Sequence, residues 1–243
     1  MRRMFTFLFV LLYAAPAFSQ FSDSTHYYIK YASTGAINKT DDGNSYLLNN
    51  AMAFKVSRKK ISLNADASYL YGQSNGDVSN NDFTGSMNFS LYPHGRNFYY
   101  WGLTGYDKSY SLKINNRFQG GAGAAWNVIS KPNATLNVSD GILFESSDLL
   151  LHDTIPDVYH TFRNSLRIYY KWTVKNIIVL EGAHFLQQSL QYSDDYIIKS
   201  TNALSVKLRS WLAITAVLNY NRITRTDREN LFINYGLTIE KYF

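Results

Sequence analysis

The chain has 243 residues, with 24 Lys and Arg against 18 Asp and Glu, and it contains no cysteine. A mean hydropathy of -0.24 is too polar for a helical membrane protein, and the absence of cysteine excludes a fold that relies on disulfides. The length suits one large all-β domain or two small ones, and the aromatic content of 16% favours one domain with an apolar face and a polar face.

The first residues, MRRMFTFLFVLLYAAPAFSQ, have the pattern of an export signal. Arg2 and Arg3 precede an apolar run, and small residues follow it at the spacing that signal peptidase requires. The run is interrupted at Pro16, well short of the roughly 20 apolar residues that cross a bilayer as a helix. We therefore predict a cleaved signal peptide at 1–20 and a single mature domain at 21–243.

Alternation with a period of two dominates the mature chain, as expected for strands whose side chains point to opposite faces. In the last segment the apolar residues share one parity, and Asn234, Thr238 and Glu240 share the other. The apolar residues of that segment are Leu231, Ile233, Tyr235, Leu237, Ile239 and Phe243. Similar segments recur along the chain and give about twelve strands, an even number with both ends on one side. This pattern predicts an antiparallel up-and-down transmembrane β-barrel.

The segment LKINNRFQGGAGAAWNV gives one of these predicted strands. Its alternation assigns Leu112 and Ile114 to the apolar face and Lys113 and Arg117 to the polar face. The glycine-rich part lacks the spacing of a dinucleotide-binding fingerprint. Its glycines are expected to relieve crowding in the lumen or to let the sheet bend.

The connections are predicted to alternate in length. Short turns fall at SRKK, PHGR, SKPNA, VKN and RS, and longer polar connections include GQSNGDVSNND, YDKS and SSDLLLHDTIPDVYH. Outer-membrane barrels have short periplasmic turns and longer extracellular loops. A soluble periplasmic barrel that binds a ligand is the alternative, because it also alternates, with its apolar side inward. The last strand, ending at Phe243, favours the membrane barrel, and Phe243 is the expected signal for the barrel-assembly machinery.

Four segments together carry a family resemblance: RFQGGAGAAWNV, SDGILFES, FRNSLRIYYKW and NYGLTIEKYF. With them, residues 26–243 resemble the YdiY-like family of salt-induced outer-membrane proteins, whose domain has no known function. The resemblance implies a barrel in the outer membrane of a Gram-negative bacterium. The tyrosine usage and the FSQ cleavage region are similar to those of Bacteroidetes proteins.

Charged residues on the polar faces suggest two functions for the lumen. Together with Lys30 and Lys55, the predicted basic residues of the lumen are Lys113, Arg117, Arg163, Arg167, Lys171, Lys199 and Lys207. The predicted acidic residues are Asp66, Glu145, Glu181 and Glu240, and most other acids fall in the predicted loops. A basic lining would favour anions in a narrow channel. Alternatively, these side chains pair with one another and fill a structural barrel.

A lipid-modifying enzyme is the alternative from another class of function. Hydrolysis or transfer of acyl chains needs a nucleophile and a base within hydrogen-bond reach. His184 is the candidate base, because its parity places it with Leu180 and Leu186 towards lipid, but the sequence shows no serine at a matching position. We therefore predict no catalytic residues, no cofactor and no metal. The expected partners are outer-membrane lipid, lipopolysaccharide and the barrel-assembly machinery, and no nucleic acid is expected.

Overall fold

The computed structural model describes residues 26–39, 43–58, 60–92, 97–152 and 154–242, so the predicted signal peptide and Phe243 lie outside the described residues. Twelve strands account for nearly all of this part of the chain. They are β1 (His26–Lys39), β2 (Asn44–Arg58), β3 (Ile61–Ser74), β4 (Asp77–Leu91), β5 (Phe98–Ser109), β6 (Ile114–Lys131), β7 (Ala134–Leu151), β8 (Ile155–Val174), β9 (Ile178–Ser189), β10 (Tyr196–Lys207), β11 (Leu212–Ile223) and β12 (Arg228–Tyr242).

The strands form one closed antiparallel barrel in which each strand pairs with its neighbours in sequence. β1 closes the ring by pairing with β12, and Tyr31 lies opposite Ile239. Closure leaves no unpaired edge, which a sheet surrounded by lipid requires. The predicted fold class and the count of twelve strands are confirmed. Among the described residues no helix is long and apolar enough to span a membrane.

The alternation predicted for β12 is confirmed by the exposure of its side chains. Leu231, Ile233 and Tyr235 are 60–64% exposed, whereas Asn234 is 1% exposed and Thr238 is 4% exposed. Large apolar side chains are exposed on every strand, so the outer surface carries an apolar band. The inner surface is mainly polar. This is the inside-out arrangement of a membrane barrel, not that of a soluble one.

The assignment of Leu112, Lys113 and Ile114 was wrong. Leu112 and Ile114 are buried inside the barrel at 7% and 2% exposure, and Lys113 lies in the turn between β5 and β6 with a positive φ of 57°. The pairing of β6 with β7 shifts register between Ile114 and Asn116. Such a bulge inserts one residue and reverses the parity of everything before it.

The long predicted connections are mostly strand. YDKS belongs to β5, and the predicted loop SSDLLLHDTIPDVYH is largely the end of β7 and the start of β8, which are joined by residues 152–154. Polar residues are found in these strand segments because their inward side chains form hydrogen bonds inside the barrel. We call the end that holds the first residues of β1 and the last residues of β12 the terminal end, and the opposite end the hairpin end.

Candidate functional site

The lumen is filled at the hairpin end. A group of six apolar side chains packs together inside the barrel, contributed by β6, β7, β8, β10, β11 and the turn before β6. We call it the apolar plug; its members are Leu112, Ile114, Leu149, Tyr159, Ile197 and Ile223. Its side chains are 0–7% exposed, so water does not reach them. Small barrels are commonly filled by their own side chains in this way.

Arg163 is the centre of a buried charge cluster next to the apolar plug. Its Nε donates to Glu145 Oε2 at 2.8 Å, and its Nη2 donates to Asp195 Oδ2 at 2.9 Å and to the Tyr159 hydroxyl at 2.7 Å. The Tyr159 hydroxyl in turn donates to Glu145 Oε1 at 2.6 Å. Arg163 and Glu145 are both 0% exposed. Buried charges are tolerated when they are paired and hydrogen-bonded in this manner.

A second buried cluster crosses the barrel. Asp107 on β5 accepts hydrogen bonds from Arg117 Nη2 at 2.7 Å and from Lys199 Nζ at 3.1 Å, and Lys199 belongs to β10 on the far side. Gln119, the next inward residue of β6 after Arg117, donates from its Nε2 to Glu145 Oε2 of the first cluster at 2.6 Å and to Gln187 Oε1 at 3.1 Å. Arg117 of this cluster lies within Coulombic range of Glu145 of the first, so the two clusters are neighbours in the lumen.

The 3-10 turn Thr224–Thr226 between β11 and β12 carries Arg225 over the mouth of the hairpin end. Arg225 Nη2 donates to Asp157 Oδ1 of β8 at 3.2 Å, and its guanidinium lies 3.8 Å from the centre of the Tyr159 ring. The hydrogen bonds to Asp157 raise the pKa of Arg225 above its already high ordinary value. This charge therefore persists over the whole physiological pH range.

The terminal half of the lumen is wetter. Glu181 on β9 lies 4.0 Å from Lys30 on β1 and 3.9 Å from Lys171 on β8, and these side chains are 31–34% exposed. Lys207 donates to Glu240 at 2.7 Å. Water reaches these ion pairs, whereas it does not reach the pair of Arg163 with Glu145 in the hairpin half.

Arg167 also belongs to the terminal half. It lies against the rings of Tyr169 and Phe185, at 5.1 and 5.4 Å from their centres. Asp66, which is exposed, lies within Coulombic range of Arg167 and Lys30. Stacking on aromatic rings is a common way to hold a guanidinium.

Most of the predicted lumen residues therefore face the lumen. Lys113 is the exception, as described above. The strand register and the contacts place the others inside the barrel, and most of them form ion pairs. They are Arg117, Arg163, Arg167, Lys171, Lys199, Lys207, Asp66, Glu145, Glu181 and Glu240. Sequence reasoning missed Asp107, Asp157 and Asp195, which it placed in loops. Asp107 and Trp101 are an even number of residues apart on β5, so their side chains point to the same face. Continuing the alternation of β5 as far as Asp107 would have predicted that this carboxylate points into the lumen.

Two inward glycines, Gly123 and Gly141, make room for the Trp101 ring. A Cβ on Gly123 would lie 2.6 Å from the Trp101 ring, and it would also clash with the backbone carbonyl of Asp140. A Cβ on Gly121 would clash with the backbone of Ile142 and lie 2.7 Å from Leu143 Cα. Gly141 faces Gly123 across the strands. The expectation that Gly121 and Gly123 relieve crowding agrees with these contacts.

The outer face carries a small polar group on β8, β9 and β10. His184 faces outward, and its Nδ1 is 2.8 Å from the Oγ of Ser200, which lies directly opposite on β10. Asn202 Nδ2 donates to Ser200 Oγ at 3.4 Å, and the Tyr170 hydroxyl donates to Asn202 Oδ1 at 2.6 Å. The serine partner that the sequence did not reveal is thus a cross-strand neighbour. The described residues contain no group of His, Asp and Glu that could hold a metal ion.

An apolar outer band, a closed ring of twelve strands and a polar lumen define a β-barrel of the outer-membrane type. The family model "Protein of unknown function, DUF481" matches residues 32–231, so the chain belongs to that family. The narrower resemblance to YdiY-like proteins and to Bacteroidetes proteins stays a prediction. No curated protein sequence matches the chain.

Solved structures of outer-membrane proteins are among those similar to this chain. The NanC porin is 8% identical, with a TM-score of 0.54, and the match covers 87% of this chain and 98% of NanC. The translocator domain of the autotransporter NalP from Neisseria meningitidis is 12% identical, with a TM-score of 0.47 and coverage of 88% and 87%. The KdgM porin is 12% identical, with a TM-score of 0.45 and coverage of 87% and 98%. At these identities the similarity concerns the fold alone.

Proposed function

We propose that the protein is a structural barrel of the outer membrane whose lumen is closed to ion flow at the hairpin end. The terminal end faces the periplasm, and the hairpin end faces the cell exterior. Lipid and lipopolysaccharide surround the apolar band, and the barrel-assembly machinery inserts the chain. A signal peptide at 1–20 is part of this proposal because the barrel must be exported.

One observation carries the proposal: the central charged residues in the hairpin half of the lumen, Arg163, Glu145, Arg117 and Asp107, are buried and paired. Arg163 and Glu145 are 0% exposed, and Arg117 is 2% exposed. An anion-selective lining needs basic groups that water and ions can reach. Buried ion pairs cannot serve that role. The accessible basic residues of the terminal half form a vestibule below this closure, not a continuous path.

Planar-bilayer conductance of the reconstituted protein tests the proposal. The unmodified protein is expected to give no conductance steps. A triple variant with Tyr159→Ala, Glu145→Ala and Arg163→Ala removes much of the closure, and we expect it to give steps. Ile233→Ala on the outer face is the matched control and should stay silent. Stable steps from the unmodified protein would refute the closed barrel, and an anion preference in those steps would favour the narrow channel instead.

A second candidate is a lipid-modifying enzyme, and the contact between His184 and Ser200 favours it. A serine hydroxyl 2.8 Å from an imidazole nitrogen is the minimal pair for acyl transfer, and Asn202 places an amide donor beside it. Release of fatty acid from phospholipid vesicles is the measurement. If the protein releases fatty acid and both His184→Ala and Ser200→Ala abolish the release, the enzyme replaces the structural barrel as the main proposal.

A further inference from the structure

Asp140 places a carboxylate in the apolar outer band. It is exposed on β7, and its neighbours of the same parity are Val138 and Ile142. Across the strands it faces Ala124 of β6. Ionisable side chains within the hydrocarbon region are costly and usually have a functional partner. The carboxylate therefore needs more contacts than lipid tails can provide.

Asp140 has spare capacity to accept hydrogen bonds. Within the described ranges its one hydrogen bond comes from Asn164 Nδ2 of β8, which donates to Oδ1 at 2.8 Å. An ionised carboxylate accepts about four hydrogen bonds. Its second oxygen, Oδ2, is thus an unused acceptor on the outer surface.

A chain of hydrogen bonds on the neighbouring strands ends in an unused donor. The Tyr170 hydroxyl donates to Asn202, and the Asn202 amide donates to Ser200 Oγ. The Ser200 hydroxyl can extend this chain by donating to His184 Nδ1, 2.8 Å away. A neutral imidazole that accepts at Nδ1 carries its proton on Nε2. In the part of the chain that the structure describes, His184 has no hydrogen bond from Nε2.

The acceptor and the donor lie at the same depth on either side of β8. Asp140 is six residues beyond Ala134, the first residue of β7, and His184 is six residues beyond Ile178, the first residue of β9. Both strands start at the terminal end. Two strand spacings separate the side chains, about 10 Å, so they do not meet within one copy.

We propose that a second copy of this chain covers the outer face of β7, β8 and β9, with a two-fold axis along the membrane normal beside Leu166 and Ile168. A two-fold axis at β8 places β7 of each copy against β9 of the other. His184 Nε2 of one copy then donates to Asp140 of the second copy, and the same contact forms twice. This self-complementarity is what a symmetric dimer requires.

Disulfide crosslinking in proteoliposomes tests the interface, and the cysteine-free sequence makes single substitutions clean. Leu166→Cys lies beside the axis and is expected to give a crosslinked dimer under mild oxidation. Ile233→Cys is equally outward but lies on β12, away from the interface, and should remain mostly monomeric. Equal crosslinking of the two variants at high lipid-to-protein ratio would overturn the proposal.

Variants of the two polar residues test the contact itself. Asp140→Leu and His184→Leu each remove both copies of the hydrogen bond, so each is expected to weaken dimerisation about tenfold, as measured by single-molecule photobleaching in vesicles. Combining Asp140→His with His184→Asp exchanges donor and acceptor, and it should recover part of the loss relative to Asp140→His alone. An exchange variant that is folded but no more dimeric than Asp140→His would contradict the pairing.

This interface is independent of the closed lumen. The outer-face variants are expected to leave conductance unchanged, and the lumen variants to leave crosslinking through Leu166→Cys unchanged. A result that contradicts the dimer interface therefore does not contradict the closed lumen, and the reverse also holds. Protection of the folded barrel from trypsin confirms that each variant has assembled.

Discussion

Lys199 and Asp107 form an ion pair of 3.1 Å across the interior of the barrel, between strands β10 and β5. Asp107 also accepts from Arg117, so one carboxylate compensates two positive charges. The pair ties together strands that are far apart in the ring. Asp107 and Arg117 are buried and belong to the closure as well as to the wall, whereas Lys199 is 27% exposed.

Asp107→Asn is expected to destabilise the barrel by about 3–5 kcal/mol, because it leaves the buried Arg117 and the partly exposed Lys199 without their carboxylate. Urea unfolding of the protein folded in lipid vesicles measures the change. Glu229→Gln is the matched control, since Glu229 forms an exposed ion pair with Arg222 at 3.5 Å. That change should cost about 0–1 kcal/mol. Similar losses for the two variants would argue against a buried cluster.

Leu237→Arg is expected to cost about 2–4 kcal/mol of folding free energy, because Leu237 is exposed on the lipid face and a charge there is poorly solvated. The same urea titration in vesicles measures it. Ser68→Arg provides the comparison, because Ser68 shares the inward parity of Asp66 in the wetter half of the lumen. We expect that variant to change stability little. The opposite ranking would mean that the faces are inverted.

Gly123→Ala is expected to destabilise the barrel by about 1–3 kcal/mol, because the added methyl group overpacks the wall against the backbone of β7 and the Trp101 ring. Equilibrium unfolding in vesicles is the measurement. Gly102→Ala is a neutral control, since the nearest atom to its added Cβ would be 3.8 Å away. If both glycines tolerate alanine, close packing at Gly123 is not required.

Arg225→Met is expected to loosen the start of β8, because it removes the ion pair with Asp157 while keeping a long apolar side chain near Tyr159. Limited proteolysis of the reconstituted protein should then cut within residues 150–160 at least several times faster. Arg222→Met removes a mostly exposed charge on β11 and is not expected to change that rate. Unchanged cleavage of Arg225→Met would show that Arg225 does not hold this hairpin.

Period-two alternation was sufficient to predict the barrel because both faces of β12 differ sharply and regularly. It failed at Leu112 and Ile114, where a bulge reverses the parity and apolar side chains turn into the lumen. A bulge leaves no mark in the order of polar and apolar residues. The predicted number of strands did not depend on this bulge. The fold was therefore predicted correctly, although Leu112 and Ile114 were assigned to the wrong face.

The lumen was predictable in part for a related reason. Arg163 and Glu145 fell on the polar parity of clear strands, and the structure pairs them. Asp107 and Asp157 are in segments whose polar residues resemble loops, so their role depended on strand ends that the sequence does not define, whereas Asp195 does lie in the connection between β9 and β10 and reaches Arg163 from there. The contact of His184 with Ser200 needed the register between β9 and β10, which only the folded sheet supplies.

The closure of the lumen has a mechanical consequence. Most of its side chains project from the same hydrogen-bonded strands that form the wall, and the ion pair of Asp107 with Lys199 joins β5 to β10 across the interior. A plug formed by a separate loop can move out of the lumen on a hinge while the barrel keeps its shape. In this barrel the side chains that close the lumen belong to the barrel strands, so any widening of the lumen must strain the wall.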